Sequence, residues 1–209
     1  MRILKSNEYR RMPWRNGRGE TAEVAISPTG ATLEDFDWRV SMARIEGDGP
    51  FSIFPQIDRT LAVLRGDGLC LSIAGSAPLE LTRDSEPLSF PGDVAVGATL
   101  LGATVTDLNV MTNRARLRHA MRRLRPAGGV ELAIEAQLAL LVCAQSTVQV
   151  EVNAQKARLA TLDTFLVDEA RTTLRIFGDA LALVYLIEIT GTGRSWTSAP
   201  PQVRAAGAR

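Results

Sequence analysis

An all-β fold built from two small antiparallel barrels, one stacked on the other, is what this chain predicts. Three observations carry the prediction. Short β-patterned runs recur between turn signals, the second half echoes the first, and an arginine-crowded stretch ending in Pro126-Ala127-Gly128-Gly129 lies between them. The expected organisation is a first barrel over residues 1–113, an Arg- and Gly-rich linker over 114–129 and a second barrel over 130–190. A flexible tail, rich in Gly, Ser, Pro and Ala, is expected over 191–209.

The strand pattern places elements at residues 21–26, 38–45, 61–65, 68–73, 94–96 and 105–111. The breaks between them are Gly47-Asp48-Gly49-Pro50, Gly66-Asp67-Gly68 and Phe90-Pro91-Gly92-Asp93, which carry the turn chemistry that short strands need. Arg65-Gly66-Asp67-Gly68 suits a tight hairpin, because glycine tolerates the positive φ such turns impose. Beyond the linker, Leu61-Ala62-Val63-Leu64 is echoed by Leu138-Ala139-Leu140-Leu141, Pro91-Gly92-Asp93 by Thr161-Leu162-Asp163, and residues 105–111 by 182–189.

Composition narrows the function classes. The chain has 209 residues, 45% of them hydrophobic and 22% charged, enough to bury a sizeable core. A net charge of +1 predicts no general attraction to nucleic acid or to an anionic membrane. No apolar run reaches spanning length and no signal-peptide pattern opens the chain, so a cytoplasmic location is expected. Cys70 and Cys143 sit in apolar strand patterns and read as two buried, reduced thiols. Short antiparallel strands, a Gly-bounded hairpin and a Pro-Gly-Asp turn describe the cupin architecture, an RmlC-like jelly roll, here doubled into a bicupin. Metal-binding cupins hold their ion with histidines on facing strands, whereas this chain has only His119, in the expected linker. The expectation is therefore a metal-free bicupin with no cofactor.

Three stretches pack aromatic, Gly, Asn and Arg residues more densely than turns require. They are Met12-Pro13-Trp14-Arg15-Asn16-Gly17-Arg18-Gly19-Glu20-Thr21, Phe36-Asp37-Trp38-Arg39-Val40-Ser41 and Asp48-Gly49-Pro50-Phe51-Ser52-Ile53-Phe54-Pro55. Together with Asp58-Arg59 and Asp107-Leu108-Asn109-Val110-Met111 they resemble the HutD/Ves family over most of residues 8–114. The resemblance implies a bicupin, often encoded with histidine-utilisation enzymes. It also implies a role in modulating histidine catabolism by binding a small acidic pathway compound, with urocanate and formylglutamate as candidates. No catalytic activity comes with it. The chain departs from the family pattern at Arg18 and Gln56, where glycines are usual, and at Ala103 and Leu108, where proline and phenylalanine are.

Within these motifs Arg59 is the first candidate anchor, since a planar, permanently charged fork fits a carboxylate bidentately. The alternative is that Asp58 and Arg59 only brace their turn. Trp38, Val40 and Met42 share one face of their strand, Arg39 and Ser41 the other. The latter pair either looks to solvent or contacts the ligand. Asp107 and Asn109 also share a face, and two polar groups there suit a pocket with Met111 as filler. Asn16 either starts a structural Asn-Gly turn or joins a nest of backbone N–H groups. Trp14 and Phe54 are expected to close the apolar sides of the site.

The leading expectation is a non-enzymatic protein that binds a small anionic metabolite, with Arg59 on the carboxylate and Ser41 and Asn109 hydrogen-bonding it. The alternatives are an isomerase or hydrolase with Asp107 or Asp58 as general base, and a structural interaction protein. Exposed barrel edges are compatible with a homodimer.

Overall fold

The computed structural model describes residues 2–193. Among them the chain is almost wholly β, with one 3-10 turn at Ser6–Glu8. The first strand, β1 (Arg2–Leu4), belongs to a compact unit made of Met1–Tyr9 and Leu117–Arg209. The other unit, Arg10–Arg116, carries β2 (Arg10–Pro13), β3 (Gly19–Ser27), β4 (Trp38–Ile45), β5 (Gly49–Pro50) and β6 (Ile57–Arg65). It continues with β7 (Leu69–Ile73), β8 (Leu79–Leu81), β9 (Leu88–Pro91), β10 (Val96–Leu100) and β11 (Val105–Asn113). Then follow β12 (Leu117–Leu124), β13 (Val130–Ile134), β14 (Leu138–Gln145), β15 (Val148–Val152), β16 (Gln155–Leu159), β17 (Thr164–Val167), β18 (Thr172–Gly178) and β19 (Leu183–Gly191).

Each unit holds two sheets. In Arg10–Arg116 they run β2-β3-β4-β11-β6-β9 and β5-β10-β7-β8; in the other unit, β1-β17-β14-β19-β12 and β13-β18-β15-β16. Adding eight to β9-β6-β11-β4 gives β17-β14-β19-β12, and adding eight to β5-β10-β7-β8 gives β13-β18-β15-β16. The duplication heard in the sequence is thus a duplication of topology. Leu61 and Leu138 start their apolar runs on the equivalent strands β6 and β14, and the pairing of residues 105–111 with 182–189 matches β11 with β19. The third echo does not correspond, because Pro91-Gly92-Asp93 begins on the last residue of β9 whereas Thr161-Leu162-Asp163 precedes β17.

The expected closed barrels are corrected to open sheets. In the six-stranded sheet β2 and β9 each have a hydrogen-bonded neighbour on one side only, and closure requires an unbroken ring of pairing. Each pair of sheets instead sandwiches a core. Ile45, Leu61, Val63 and Val105 of the six-stranded sheet pack with Leu69, Leu71, Leu81, Val96 and Ala98 of the four-stranded one. The other unit repeats this, with Leu141, Phe165 and Leu186 against Val150, Leu159 and Ile176.

The arginine-rich stretch differs from the linker expected there. Leu117–Leu124 is strand β12, paired along its whole length with β19. Its arginines are carried by alternation, since Arg118 and Arg122 are exposed while Leu117 is buried. His119 lies on this strand. At the other end of the chain, β1 pairs with β17, and Tyr9 Oη lies 2.8 Å from Thr164 Oγ1 and donates to the Leu162 carbonyl. Residues 2–9 therefore belong with the second unit rather than the first. The tail expected to be flexible lies outside the described residues from position 194 onward. Both cysteines are free, Cys143 buried and Cys70 half-buried.

Candidate functional site

One face of the six-stranded sheet sets out the polar residues in rows. Strand register aligns Ile26, Arg39, Met111, Arg59 and Phe90 across β3, β4, β11, β6 and β9. The next row is Glu23, Ser41, Asn109, Leu61 and Leu88, and the third is Thr21, Ala43, Asp107 and Val63. Farther along the same face Ile45, Val63 and Val105 enter the sandwich core. The polar residues of these rows therefore lie on the core-facing side of the sheet, beside the core residues Leu61 and Val63. Two register shifts adjoin this patch: Val24 is the extra residue on β3, and Leu64 is the extra residue on β6 opposite Thr106 and Asp107. A bulge re-aims the side chains beside it, here Glu23 on β3.

A cavity of about 470 Å³ opens over these rows, a size that suits a small metabolite. All nine sequence-predicted site residues line it: Trp14, Asn16, Arg39, Ser41, Phe54, Arg59, Asp107, Asn109 and Met111. Arg39 and Ser41 are buried there, at 5% and 1% exposure, which corrects the solvent-facing alternative. The reverse face, with Trp38, Val40 and Met42, is buried as well, so an apolar face on one side does not send its opposite to water.

Arg59, 7% exposed, reaches along the sheet so that both Nε and Nη2 donate to Asn109 Oδ1 at 3.2 Å. Three phenylalanine rings surround the guanidinium carbon, with centroids 5.0 Å away for Phe51, 5.3 Å for Phe90 and 5.9 Å for Phe54. Among the described residues no carboxylate comes within 4.0 Å of it. Burial pushes its pKa down to about 10, with Asp107 pulling the other way and Arg39 adding to the fall. It stays charged at neutral pH. Arg39, in contrast, is neutralised: its Nε donates to Glu23 Oε2 at 2.8 Å and Nη1 donates to Ser41 Oγ at 3.4 Å.

Asp107 is 2% exposed. Its Oδ1 accepts the Ala43 N–H at 3.1 Å, and among the described residues its other oxygen accepts nothing. Burial raises this carboxyl to about 7, although Arg59 and the Ala43 hydrogen bond oppose the rise. Near neutral pH it can therefore hold or release a proton.

The walls come from two loops. In the Trp14–Gly19 turn the Trp14 N–H donates to the Gly19 carbonyl, the Gly17 N–H to the Trp14 carbonyl and the Arg18 N–H to Asn16 Oδ1. These three N–H groups are spent within the turn, as in a structural Asn-Gly turn, and Asn16 lines the cavity. Trp14 Nε1 donates to Thr21 Oγ1 at 2.8 Å, which holds the indole at the rim. Arg18, standing where the family has glycine, packs along Gly47 and donates to the Asp48 carbonyl, away from the cavity. Gln56, the other glycine position, adopts φ of 62° and keeps the backbone that glycine would take. Asp58 accepts from Arg114, which also bridges Asp93, so it braces the turn outside the cavity.

Glu23, Phe51 and Phe90 complete the site and were not among its predicted residues. Phe51 lies in the Asp48–Pro55 motif, three residues before Phe54. Glu23 announces itself only as a carboxylate directly before the apolar run Val24-Ala25-Ile26. Phe90 shows nothing in sequence beyond its place before a turn. Among the described residues no group of three or more His, Cys, Asp or Glu side chains is placed to hold a metal ion. Nor is any helix there long and apolar enough to cross a membrane.

Comparison with known proteins places the chain. The family model described as HutD matches residues 6–184. An uncharacterised 21.2 kDa protein in the hutC 3′ region of Pseudomonas putida is 33% identical over 158 residues, 76% of this chain and 81% of that protein. Protein Ves of Citrobacter koseri is 40% identical over 119 residues, which span 55% of this chain and 61% of Ves. The crystal structure of a conserved protein of unknown function from Pseudomonas aeruginosa PAO1 superposes with a TM-score of 0.83 at 33% identity, covering 90% of this chain and 98% of that one. With the family model spanning most of its length, the chain belongs to the HutD family.

Proposed function

We propose that this protein binds a small anionic metabolite of histidine degradation and through that binding modulates the pathway. The observation that carries the reading is Arg59, a charged guanidinium buried in a cavity with no carboxylate within 4.0 Å among the described residues. A buried cation without a counter-ion is costly, and an anionic ligand relieves that cost. Ser41 and Asn109 flank it as hydrogen-bonding groups, while Trp14, Phe54 and Met111 offer apolar walls. The histidine connection rests on family membership and on the relative encoded in the hutC 3′ region. Urocanate and formylglutamate are the candidate ligands. The reading includes a cytoplasmic location, no nucleic-acid partner and no required metal, and it leaves room for a homodimer.

The test is a thermal-shift screen against histidine-pathway intermediates, since a ligand that prefers the folded state raises Tm. An increase in wild type that survives Arg18→Ala and disappears in Arg59→Ala supports the reading. No shift with any anionic intermediate contradicts it.

A second reading, an isomerase or hydrolase, is favoured by one observation, the Asp107 carboxyl poised near neutrality inside the cavity. Turnover of an intermediate that Asp107→Asn abolishes would establish it. Asp58, held by Arg114 outside the cavity, is no longer a candidate base.

A further inference from the structure

The cavity contains two buried ionisable groups of opposite sign that do not meet. Arg59 sits opposite Met111 on β11, whereas Asp107 lies four residues further along that strand, with Asn109 between them. The guanidinium bends towards Asn109 and stops there. Along a strand, two residues span roughly 7 Å, so the gap beyond Asn109 is ligand-sized and not hydrogen-bond-sized. Asp107 is held in place by the Ala43 N–H on one oxygen, and its second oxygen lacks a protein donor. An acceptor that lines a cavity without a protein donor is open to one from the ligand.

We infer that the site takes a carboxylate that also carries an N–H donor, with the carboxylate seated on Arg59 and the N–H donated to Asp107. The inference rests on the proposed reading of Arg59 and goes further in naming the second group of the ligand. It excludes simple aliphatic and aromatic carboxylates as good ligands, because they leave Asp107 without a partner. The other charged side chains lining the cavity are Arg15 and Arg39, with Glu23 behind Arg39 on β3. The Arg39–Glu23 pair is neutral as a unit, so Arg59 and Asp107, with Arg15 in the lining, set the charge that the ligand meets. An N–H donor favours the ionised carboxylate while a carboxylate on Arg59 opposes it, so near neutral pH an N–H-bearing ligand leaves Asp107 less protonated than its N–H-free analogue does.

The experiment is titration calorimetry at pH 7 with matched pairs. Urocanate is compared with 3-(2-furyl)acrylate, which keeps the planar carboxylate and lacks the ring N–H; N-formylglutamate is compared with glutarate. Repeating each titration in buffers of different ionisation enthalpy reads the proton release. The expected result is at least tenfold tighter binding by the N–H-bearing member of a pair, with more proton release than its partner shows. Asp107→Asn should bring that member down to the level of its partner, because the amide nitrogen then faces the ligand N–H. Equal affinity within both pairs, unchanged by Asp107→Asn, overturns the inference and leaves Arg59 as carboxylate anchor. No saturable binding by any of the four compounds overturns both. If Asp107→Asn does not fold, the wild-type comparison and its proton release decide alone.

Discussion

Arg59 and Asn109 meet across neighbouring strands, with two guanidinium nitrogens sharing the one amide oxygen at 3.2 Å. A neutral acceptor fixes the cation without cancelling it. Had an aspartate stood at 109, the guanidinium would have its counter-ion already and the cavity would have little use for an anion.

This relationship gives the first prediction. Asn109→Ala leaves the guanidinium charged but unsteered. Ligand affinity should fall about tenfold, the worth of roughly one charge-assisted hydrogen bond. Arg59→Lys should lose more, because an ammonium lacks the planar fork. Calorimetric Kd values for the two variants check both.

Glu23 and Arg39 supply the second. Both are nearly buried and meet at 2.8 Å. Glu23→Gln strands the Arg39 cation and should cost about 3 kcal/mol of stability. Chemical denaturation checks it, with Glu23→Gln/Arg39→Met expected to recover much of the loss.

Asp107 makes stability depend on pH. In the folded protein the carboxyl keeps its proton up to about pH 7, while an unfolded aspartate loses it near pH ~4. Between these values the native state binds more protons, so the contribution of Asp107 falls as pH rises through that window and levels off above it. Asp107→Asn keeps an acceptor for the Ala43 N–H and carries no charge. It should therefore be more stable than wild type by roughly 2–4 kcal/mol at pH 8, with the difference vanishing near pH 4. Ligand-free denaturation curves from pH 4 to 8 check the trend.

Gln56 holds a left-handed backbone at φ 62° where the family resemblance implies glycine. Gln56→Gly removes a cost of about 1 kcal/mol. A Tm raised by a few degrees is expected, with ligand binding unchanged because Gln56 does not line the cavity.

Much of the site was legible because its residue types are costly anywhere else. Asp107 and Asn109 on one strand face, and an arginine opening an apolar strand, demand a polar cavity. Strand β4 was read with its observed bounds, since Trp38 to Met42 alternate cleanly. The direction of Arg39 and Ser41 was harder, because alternation assigns two faces without saying that both are buried. Strand β12 carried its period-2 signal, with Arg118 and Arg122 outward, but the crowd of arginines masked it. Val148-Gln149-Val150-Glu151-Val152 alternates as cleanly in the second half but was not among the predicted elements. Barrel closure was beyond reach, since it depends on whether edge strands such as β2 and β9 find partners, and no local pattern encodes that.

The most direct measurement is a crystal structure of the protein with urocanate or N-formylglutamate bound. The account predicts carboxylate oxygens within hydrogen-bonding distance of the Arg59 guanidinium, beside Asn109 and under Trp14 and Phe54. A ligand seated elsewhere, for example in the shallow groove along Gln149, Lys156 and Phe177, with Arg59 untouched, would contradict it.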